Sequence, residues 1–549
     1  MNIVIAQLNY TIGDFEGNFK KIQSAVETFK SQADLIVFSE LCVSGYYPFD
    51  LLDRADFQAK QAQYVDKVQA LTAERECAVL IGASVKNKGV GKALFNAALV
   101  IDKGEIIHVY HKHLLPVYNI YDEARHFERG QTSPVFEFRG KQYGVLICED
   151  LWAEFQDYYH ESPEKQFIGK NLEVIFVLNG SPSNIGKFTE RTQMVSQLAI
   201  KVKVPVVYVN QVGGNDEIVY DGASFICDET GNIKHISASF EESVEVVDLS
   251  SLATLSTRQN PYQDDIYKMY FEQLKVGLRD YVQKCGFKGI VLGSSGGIDS
   301  ALTLAVAKYA LGAENVVGIT MPSVYSSEGS VGDSVALCRN LAIKLFTRPI
   351  AEDYQLSCRE FEKAFGEKPI QLTQENIQAR IRGRIVMEYS NNYGVLAVST
   401  GNKSEMSVGY ATLYGDMNGA LNILGDLYKE DVYALSRYIN RTYGEIIPVA
   451  IIDKEPSAEL SEDQKDSDSL PPYELLDPTL KLYLEGDMLS EDEIADLKEK
   501  ASLLAESEVE RVHRLVDRSE FKRKQASPII RIQKRSFGMG RQVPVAQQF

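Results

Sequence analysis

Three side chains stand directly after short apolar runs: Glu40 after LIVFS, Cys148 after GVLI and Asn179 after VIFVL. The ends of buried strands are where α/β folds gather their chemistry. A thiol nucleophile needs a base to take its proton and a cation to favour the thiolate and steady an oxyanion. Glu40, Lys112 and Cys148 are of the types that fill those roles. Singly, each has a plainer reading: a cysteine ending an apolar strand is commonly a small buried hydrophobe, and Lys or Glu commonly solvates a surface. A second pattern, GSSGGIDS from Gly293 to Ser300, lies between an apolar run and a helical one. In that setting backbone N–H groups and a helix N-terminus cradle phosphate. The turn lacks the Lys of GxxxxGK[ST], so it is no Walker A loop, and alone it reads equally as a structural turn. His108, His111 and His113 lie close together. On a strand the last two share a face and His108 points away, which favours packing histidines over a metal site.

The elements that must carry these groups are legible as patterns. Residues 1–250 hold seven Val/Ile-rich runs (NIVIAQL, DLIVFSE, AVLIGASV, FNAALVI, YGVLICED, LEVIFVLN, VPVVYVNQ) separated by amphipathic or polar stretches. Such runs read as buried strands. Phe19, Ile22, Val26 and Phe29 recur at helical spacing and predict a helix over 18–29. The polar, turn-rich stretch 249–265 ends the series and is expected to be a linker, giving domains of 1–248 and 266–549. Beyond it, a helix over 266–285 leads to KGIVLG, the Gly-rich turn, a helix, NVVGITMPS and GVLAVSTGNKSE, the alternation of a doubly wound parallel sheet. The acidic, Ser-rich segment 453–472 reads as a mobile loop on composition.

Composition excludes whole classes. At 549 residues with 44% hydrophobic and 24% charged, the chain is globular and too long for a single small binding module. A net charge of −18 is unsuited to coating nucleic acid, so no nucleic-acid partner is expected. That total hides a basic tail, ten Lys and Arg against Asp517 and Glu520 in 511–549. Seven cysteines without a CxxC pair argue against a disulfide framework or Cys-rich zinc site and for a reducing cytoplasm. No signal peptide is expected at the start, no stretch is apolar enough to span a membrane, and no membrane partner is expected.

In order, FSELCVSGYYPFDLL, YHKHLLPVYNIYDEARHF and GVLICEDLW resemble the three catalytic stretches of the nitrilase, or carbon-nitrogen hydrolase, superfamily. The resemblance implies an αββα sandwich over about the first 250 residues, with Glu40 as general base, Lys112 as oxyanion stabiliser and Cys148 as nucleophile. It further implies that Tyr118, Ser181 and Lys187 hold a glutamine, with Glu123 a second acid near the triad, grouped with the glutamine-binding residues. SGGxDS resembles the PP-loop of ATP pyrophosphatases, implying an adenine nucleotide α-hydrolase-like domain with ATP on Gly293, Ser294, Ser295, Gly296, Gly297, Ile298, Asp299, Ser300 and Thr400. Ser294 stands where these loops commonly have Leu. The segments GITMPS, QENIQARIRGRIVM, STGNKSEMSVGYATLYGDMNGALNILGDLYKEDVYAL, PSAEL, QKDSDSLPPYELLD and FKRKQASP narrow this to the NAD synthetase family over most of 260–540. They imply deamido-NAD contacts at Asn376, Glu405, Asp416, Lys429 and Lys522, and Mg2+ on Asp299 and Glu405. Arg380, Arg382 and Arg384 read as a solvated helix face or as phosphate contacts.

Together the resemblances imply NAD formation from ATP-adenylated deamido-NAD and glutamine-derived ammonia, with a sheltered route from Cys148 to the Gly293–Ser300 turn. Neutral ammonia and a dry adenylate both need shelter from water. Two alternatives are weaker. Another glutamine-fed PP-loop amidotransferase would ordinarily carry a different glutaminase, and a synthetase using free ammonia beside a non-catalytic nitrilase-like module fits poorly with Glu40, Lys112 and Cys148 all present. Both parent families are usually oligomeric, so at least a homodimer through the second half is implied.

Overall fold

The computed structural model describes residues 1–153, 159–462 and 464–548, and the chain divides into two compact units, 1–264 and 265–549.

In the first unit, two six-stranded sheets pack face to face. One runs, edge to edge, through Ser243–Asp248, Asn2–Gln7, Leu35–Val37, Ala78–Lys86, Leu94–Asp102 and Glu105–His111. The other runs through Ile233–Ile236, Phe225–Cys227, Val206–Asn210, Leu172–Asn179, Lys141–Ile147 and Val135–Phe138. The Val/Ile-rich strands are buried along almost their whole length because helices cover the outer faces: Phe15–Phe29 and Ala55–Thr72 on one side, Lys187–Val202 on the other. This is the αββα sandwich. Lys141–Ile147, Leu172–Asn179 and Val206–Asn210 run parallel and in register, so Cys148, Gly180 and Gln211 emerge at one end. Asn2–Gln7, Leu35–Val37 and Ala78–Lys86 are parallel in the facing sheet, and Glu40 leaves just beyond them. A Cβ on Gly82 would lie 2.4 Å from the Leu41 nitrogen, so the bare glycine lets the Glu40 turn cross the neighbouring strand.

The stretch expected to be a linker packs onto this unit. Leu249–Thr254 is a 3-10 helix, the Arg258 N–H donates to the Ile233 carbonyl, and buried Tyr262 sits against Phe188 and Phe240. Turn-rich composition concealed the one aromatic that anchors it.

The second unit is built on five parallel strands ordered Lys344–Thr347, Val316–Thr320, Ile290–Gly293, Leu396–Ser399, Leu421–Asn422. Chain order reverses between Ile290–Gly293 and Leu396–Ser399, which makes their carboxyl ends the switch point of a doubly wound sheet. On one face, Val291, Ile319 and Ala397 pack with Ile350, Tyr354, Ile381 and Ile385 from Ala351–Phe365 and Gln371–Tyr393. Helices Ile266–Lys284, Ile298–Leu311 and Lys429–Tyr443 pack together on the other. A second core joins Met406, Tyr428, Leu476, Leu480, Val512, Val516 and Ile529, so the tail belongs to the fold. Among the described residues, no helix is long and apolar enough to cross a membrane.

Candidate active sites

Cys148 begins a 3-10 turn, Cys148–Leu151, directly after Lys141–Ile147, with φ 41°. A non-glycine residue at positive φ is strained, and such strain collects at functional turns. Asp150 fixes this turn against the lysine segment. One of its oxygens accepts from the His113 and Leu114 N–H groups at 3.0 and 2.9 Å, the other from the Ile147 N–H at 3.1 Å and the Tyr110 hydroxyl at 2.8 Å. One buried carboxylate thereby ties the nucleophile's turn to the chain around Lys112.

The Lys112 ammonium, fully buried, lies 2.8 Å from Glu40 and 2.8 Å from Glu123. Glu40 also accepts from the Asn96 amide at 2.7 Å and the Gly180 N–H at 2.9 Å. Burial pushes the Glu40 carboxyl up to about 7, with Lys112 opposing and Glu123 reinforcing. Burial works against the Lys112 charge, but Glu123 and Glu40 outweigh it and hold the ammonium. Burial likewise pushes the Cys148 thiol up, Glu40 adding to this and Lys112 opposing. The resting site therefore holds a thiol, a locked ammonium and a carboxyl near the midpoint of its titration.

The other expected residues fall into two sets. Tyr118 donates to Glu149 at 3.0 Å, as does Tyr159 at 2.8 Å. The Lys187 ammonium sits 3.6 Å from the centre of the Trp152 ring and 3.1 Å from Glu190, its pKa lowered by burial. Burial raises Glu149 to about 7 while Lys112 and the two tyrosines oppose. A buried acid and a buried amine facing each other beside the nucleophile suit the ammonium and carboxylate of an amino acid.

Glu123 and Ser181 are committed elsewhere. Glu123 turns its oxygens to Lys112, Asn96 and the Tyr46 hydroxyl at 2.6 Å, leaving nothing exposed for a substrate. Its contacts in this structure are thus with Lys112, Asn96 and Tyr46. The Ser181 hydroxyl accepts from Arg191, whose guanidinium pairs with Asp221 at 2.7 Å. Glu149 and Asp150 directly follow Cys148, and two consecutive acids after an apolar strand were the signal available for them. Tyr46 lies within the first of the three stretches, six residues after Glu40, without being singled out there, and Asn96 lies outside all three and left no signal. Of the histidines, His108 contacts the Ser133 carbonyl, His111 stacks on Phe95 and His113 contacts the Thr132 carbonyl.

The second site is a cavity of about 280 Å³ at the switch point. Gly293 through Ser300 line it apart from Gly296, whose φ of +78° turns the chain and whose Cβ would meet the Ser330 carbonyl at 2.3 Å. Helix Ile298–Leu311 then starts from Gly297 without a side-chain cap, so its first-turn N–H groups and dipole face the cavity. The Ser295 and Ser300 hydroxyls are 3.1 Å apart and brace the turn. Thr400 lines the wall at the end of the neighbouring strand.

Helix Lys403–Val408 brings Glu405 to the cavity, and its Asn402–Glu405 capping box explains why it starts there. Asn402 also donates to Asp299 at 2.8 Å. Lys429, the first residue of Lys429–Tyr443, lies 2.6 Å from Asp299 and 3.1 Å from Glu405. Burial opposes its charge, and Asp299 and Glu405 restore and raise it. Burial also pushes Glu405 up to about 8, Lys429 opposing and Asp299 and Asp466 reinforcing. Lys429 thus bridges Asp299 and Glu405, with buried Asp466 adding negative charge nearby. Carboxylate oxygens are the donors a hard divalent cation takes, so the residue types present fit Mg2+.

Of the residues expected at deamido-NAD, Glu405, Asp416 and Lys429 line the cavity. Asn376 and Lys522 instead hold the loop around it: Thr412 donates to Asn376 at 2.7 Å through its hydroxyl and to Asp416 at 2.6 Å through its N–H. Lys522 donates to the Gly409 and Ala411 carbonyls at 2.6 and 2.7 Å. Arg382 lines the cavity and donates to the Met321 carbonyl, with its pKa brought down to about 10 by burial and Glu459 opposing. Arg380 and Arg384 bond elsewhere, to the Leu413 carbonyl and to Asp353. The segment read as a mobile loop forms one wall, with Glu459 on Ser327, Ser330 and Lys454 and with Asp466 buried.

A family model described as carbon-nitrogen hydrolase matches residues 2–259, and one described as NAD synthase matches residues 270–526. The chain is 40% identical over 551 residues to a glutamine-dependent NAD(+) synthetase of Acinetobacter baylyi, covering 99% of this chain and 98% of the relative. It is 39% identical over 563 residues to that of a Synechocystis species, covering 100% and 99%. A solved glutamine-dependent NAD+ synthetase from Acinetobacter baumannii, in complex with adenosine diphosphate, matches with a TM-score of 0.76 at 36% identity, covering 99% of this chain and 98% of that one.

Proposed function

Because the chain belongs to the glutamine-dependent NAD(+) synthetases, we propose that its two sites divide that reaction between them, amide hydrolysis at Cys148 and amide synthesis at the Gly293–Ser300 turn. The observation that carries the reading is the ammonium of Lys112 locked between two buried carboxylates at the strand end that presents Cys148. Glu40 takes the thiol proton, and the thiolate adds to the side-chain amide carbon of glutamine. Lys112 steadies the tetrahedral oxyanion. As the C–N bond breaks, Glu40 returns the proton to the departing nitrogen and ammonia leaves. Water, deprotonated by Glu40, then cleaves the thioester, releasing glutamate and restoring the thiol. Glu149 with Tyr118 receives the substrate's α-ammonium, and Lys187 its α-carboxylate.

In the second unit, ATP places its phosphates on the N–H groups of the turn and of helix Ile298–Leu311. The deamido-NAD carboxylate attacks the α phosphorus, the α–β bond breaks and pyrophosphate leaves. Ammonia adds to the acyl adenylate, loses a proton and expels AMP, giving NAD. Lys429 and Arg382 offset charge on the phosphates, and Asp416 faces the nicotinate end. Asp299 and Glu405 would hold Mg2+, which would further neutralise phosphate charge. A nucleophilic Cys148 requires a reducing compartment, in keeping with the cytoplasm. Exposed Leu356, Phe365, Ile370 and Leu372 support association of the second unit with another copy, at least as a dimer.

Deamido-NAD carrying 18O in its carboxylate tests the adenylation step. One labelled oxygen is expected in AMP; label in pyrophosphate and none in AMP contradicts attack at the α phosphorus.

A further inference from the structure

The synthetase site draws its charged groups from two separate helices, and one residue with no place in the chemistry above touches both. Glu405 rides on Lys403–Val408, and Lys429 opens Lys429–Tyr443. Behind them, helix Tyr473–Glu485 contributes Asp477, 4% exposed, the last residue of the PPYELLD segment. One Asp477 oxygen accepts from the Ser404 hydroxyl at 2.5 Å, and the other accepts from the Glu430 N–H at 2.9 Å. The Ser404 hydroxyl oxygen accepts in turn from the Lys429 N–H at 2.9 Å. Ser404 immediately precedes Glu405, and Glu430 immediately follows Lys429. Asp477 thus satisfies N–H groups at the start of one helix and pins it to the first turn of the other.

A buried carboxylate is costly, and among the described residues no cation pairs with Asp477. What offsets the cost is a helix N-terminus and one hydroxyl. Both favourable contacts fall on Ser404 and Glu430, the immediate chain neighbours of Glu405 and Lys429. We propose that Asp477 is a positioning residue for NAD synthesis: it clamps the Lys403–Val408 and Lys429–Tyr443 helices so that Glu405 and Lys429 converge on Asp299. The inference rests on the reading of Glu405 and Lys429 as synthetase groups. Asp477 acts through Ser404 and the backbone, so its loss misplaces groups that act on the reacting phosphates and leaves the turn that binds ATP intact.

Asp477→Asn keeps the shape and replaces one acceptor with a donor. With ATP, deamido-NAD and ammonium, kcat is expected to fall about tenfold to a hundredfold, the scale of one charge-assisted hydrogen bond, while KM for ATP moves less than about threefold. Ser404→Ala is expected to give the same selective loss of kcat, and the double variant to be no worse than Asp477→Asn, because both cut one chain of contacts. A kcat for Asp477→Asn within about twofold of the unaltered protein, or losses that multiply in the double variant, would overturn the proposal. If thermal melting shows Asp477→Asn unfolded, Ser404→Ala decides alone, and an unchanged kcat there rejects the clamp. Failure of the unaltered protein to make NAD from ammonium would sink the synthetase reading itself, a result separable from any of these.

Discussion

In the proposed mechanism Glu40 accepts a proton and gives it back within one turnover, and its surroundings suit both tasks. Burial and Glu123 raise it, Lys112 restrains it, and it settles at about 7. Glutamine-dependent kcat/KM is therefore expected to fall as pH drops through about 7, because protonated Glu40 cannot take the thiol proton. In Glu123→Gln the acid limb should move to lower pH, since a charge that raises Glu40 is gone; an unmoved limb assigns the titration to another group. Ser294 is a different case. Its hydroxyl is buried and, among the described residues, has no hydrogen-bond partner. Ser294→Ala is expected to stabilise the protein by about 1 kcal/mol in denaturant or thermal unfolding, without loss of ATP turnover. At this scale, residue type and position after an apolar run made Glu40 and Cys148 legible. Asn96 acts through Glu40 and Tyr46 through Glu123, partners distant in sequence, and Asn402, which also caps its own helix with Glu405, reaches equally distant Asp299.

Among the elements, the strands at Ile290–Gly293, Val316–Thr320 and Leu396–Ser399 and the helix after the Gly-rich turn were readable from their apolar runs, whereas the short edge strands Lys344–Thr347 and Leu421–Asn422 carry no such run. The segment 453–472, read as a loop from its composition, makes its contacts through those same polar residues. Its charges and serines are hydrogen-bonding groups that seat it on the N-terminus of Glu328–Leu341, through Glu459 to Ser327 and Ser330. Glu459→Ala is expected to raise KM for ATP several-fold and to quicken proteolysis within 454–462, with kcat little changed; equal protease resistance would show that the contact does not hold the wall. The basic tail packs through its charges in the same way. Arg523 bonds to the Met406 and Ser407 carbonyls and Glu520, Arg535 to Asp487, and Arg541 to Glu520. Ile529 pairs with Asn422 at the sheet edge, and Ile530, Ile532 and Phe537 are buried. Removal of 527–549 is expected to unfold the second unit rather than merely weaken dinucleotide binding, with loss of its cooperative thermal transition as the readout.

For the molecule as a whole, an acidic chain handles anionic substrates by local means: a helix N-terminus, Lys429 and Arg382 at one cavity, with most tail charges used to hold the fold. The −18 total says little about either site. The central claim is that one chain makes ammonia at Cys148 and consumes it at the Gly293–Ser300 turn. Cys148→Ala tests it most directly, assayed for NAD formation with glutamine and, separately, with ammonium. Glutamine-supported synthesis is expected to fall by about a thousandfold or more while ammonium-supported synthesis stays within about twofold. Persistent glutamine-supported synthesis in that variant would contradict it.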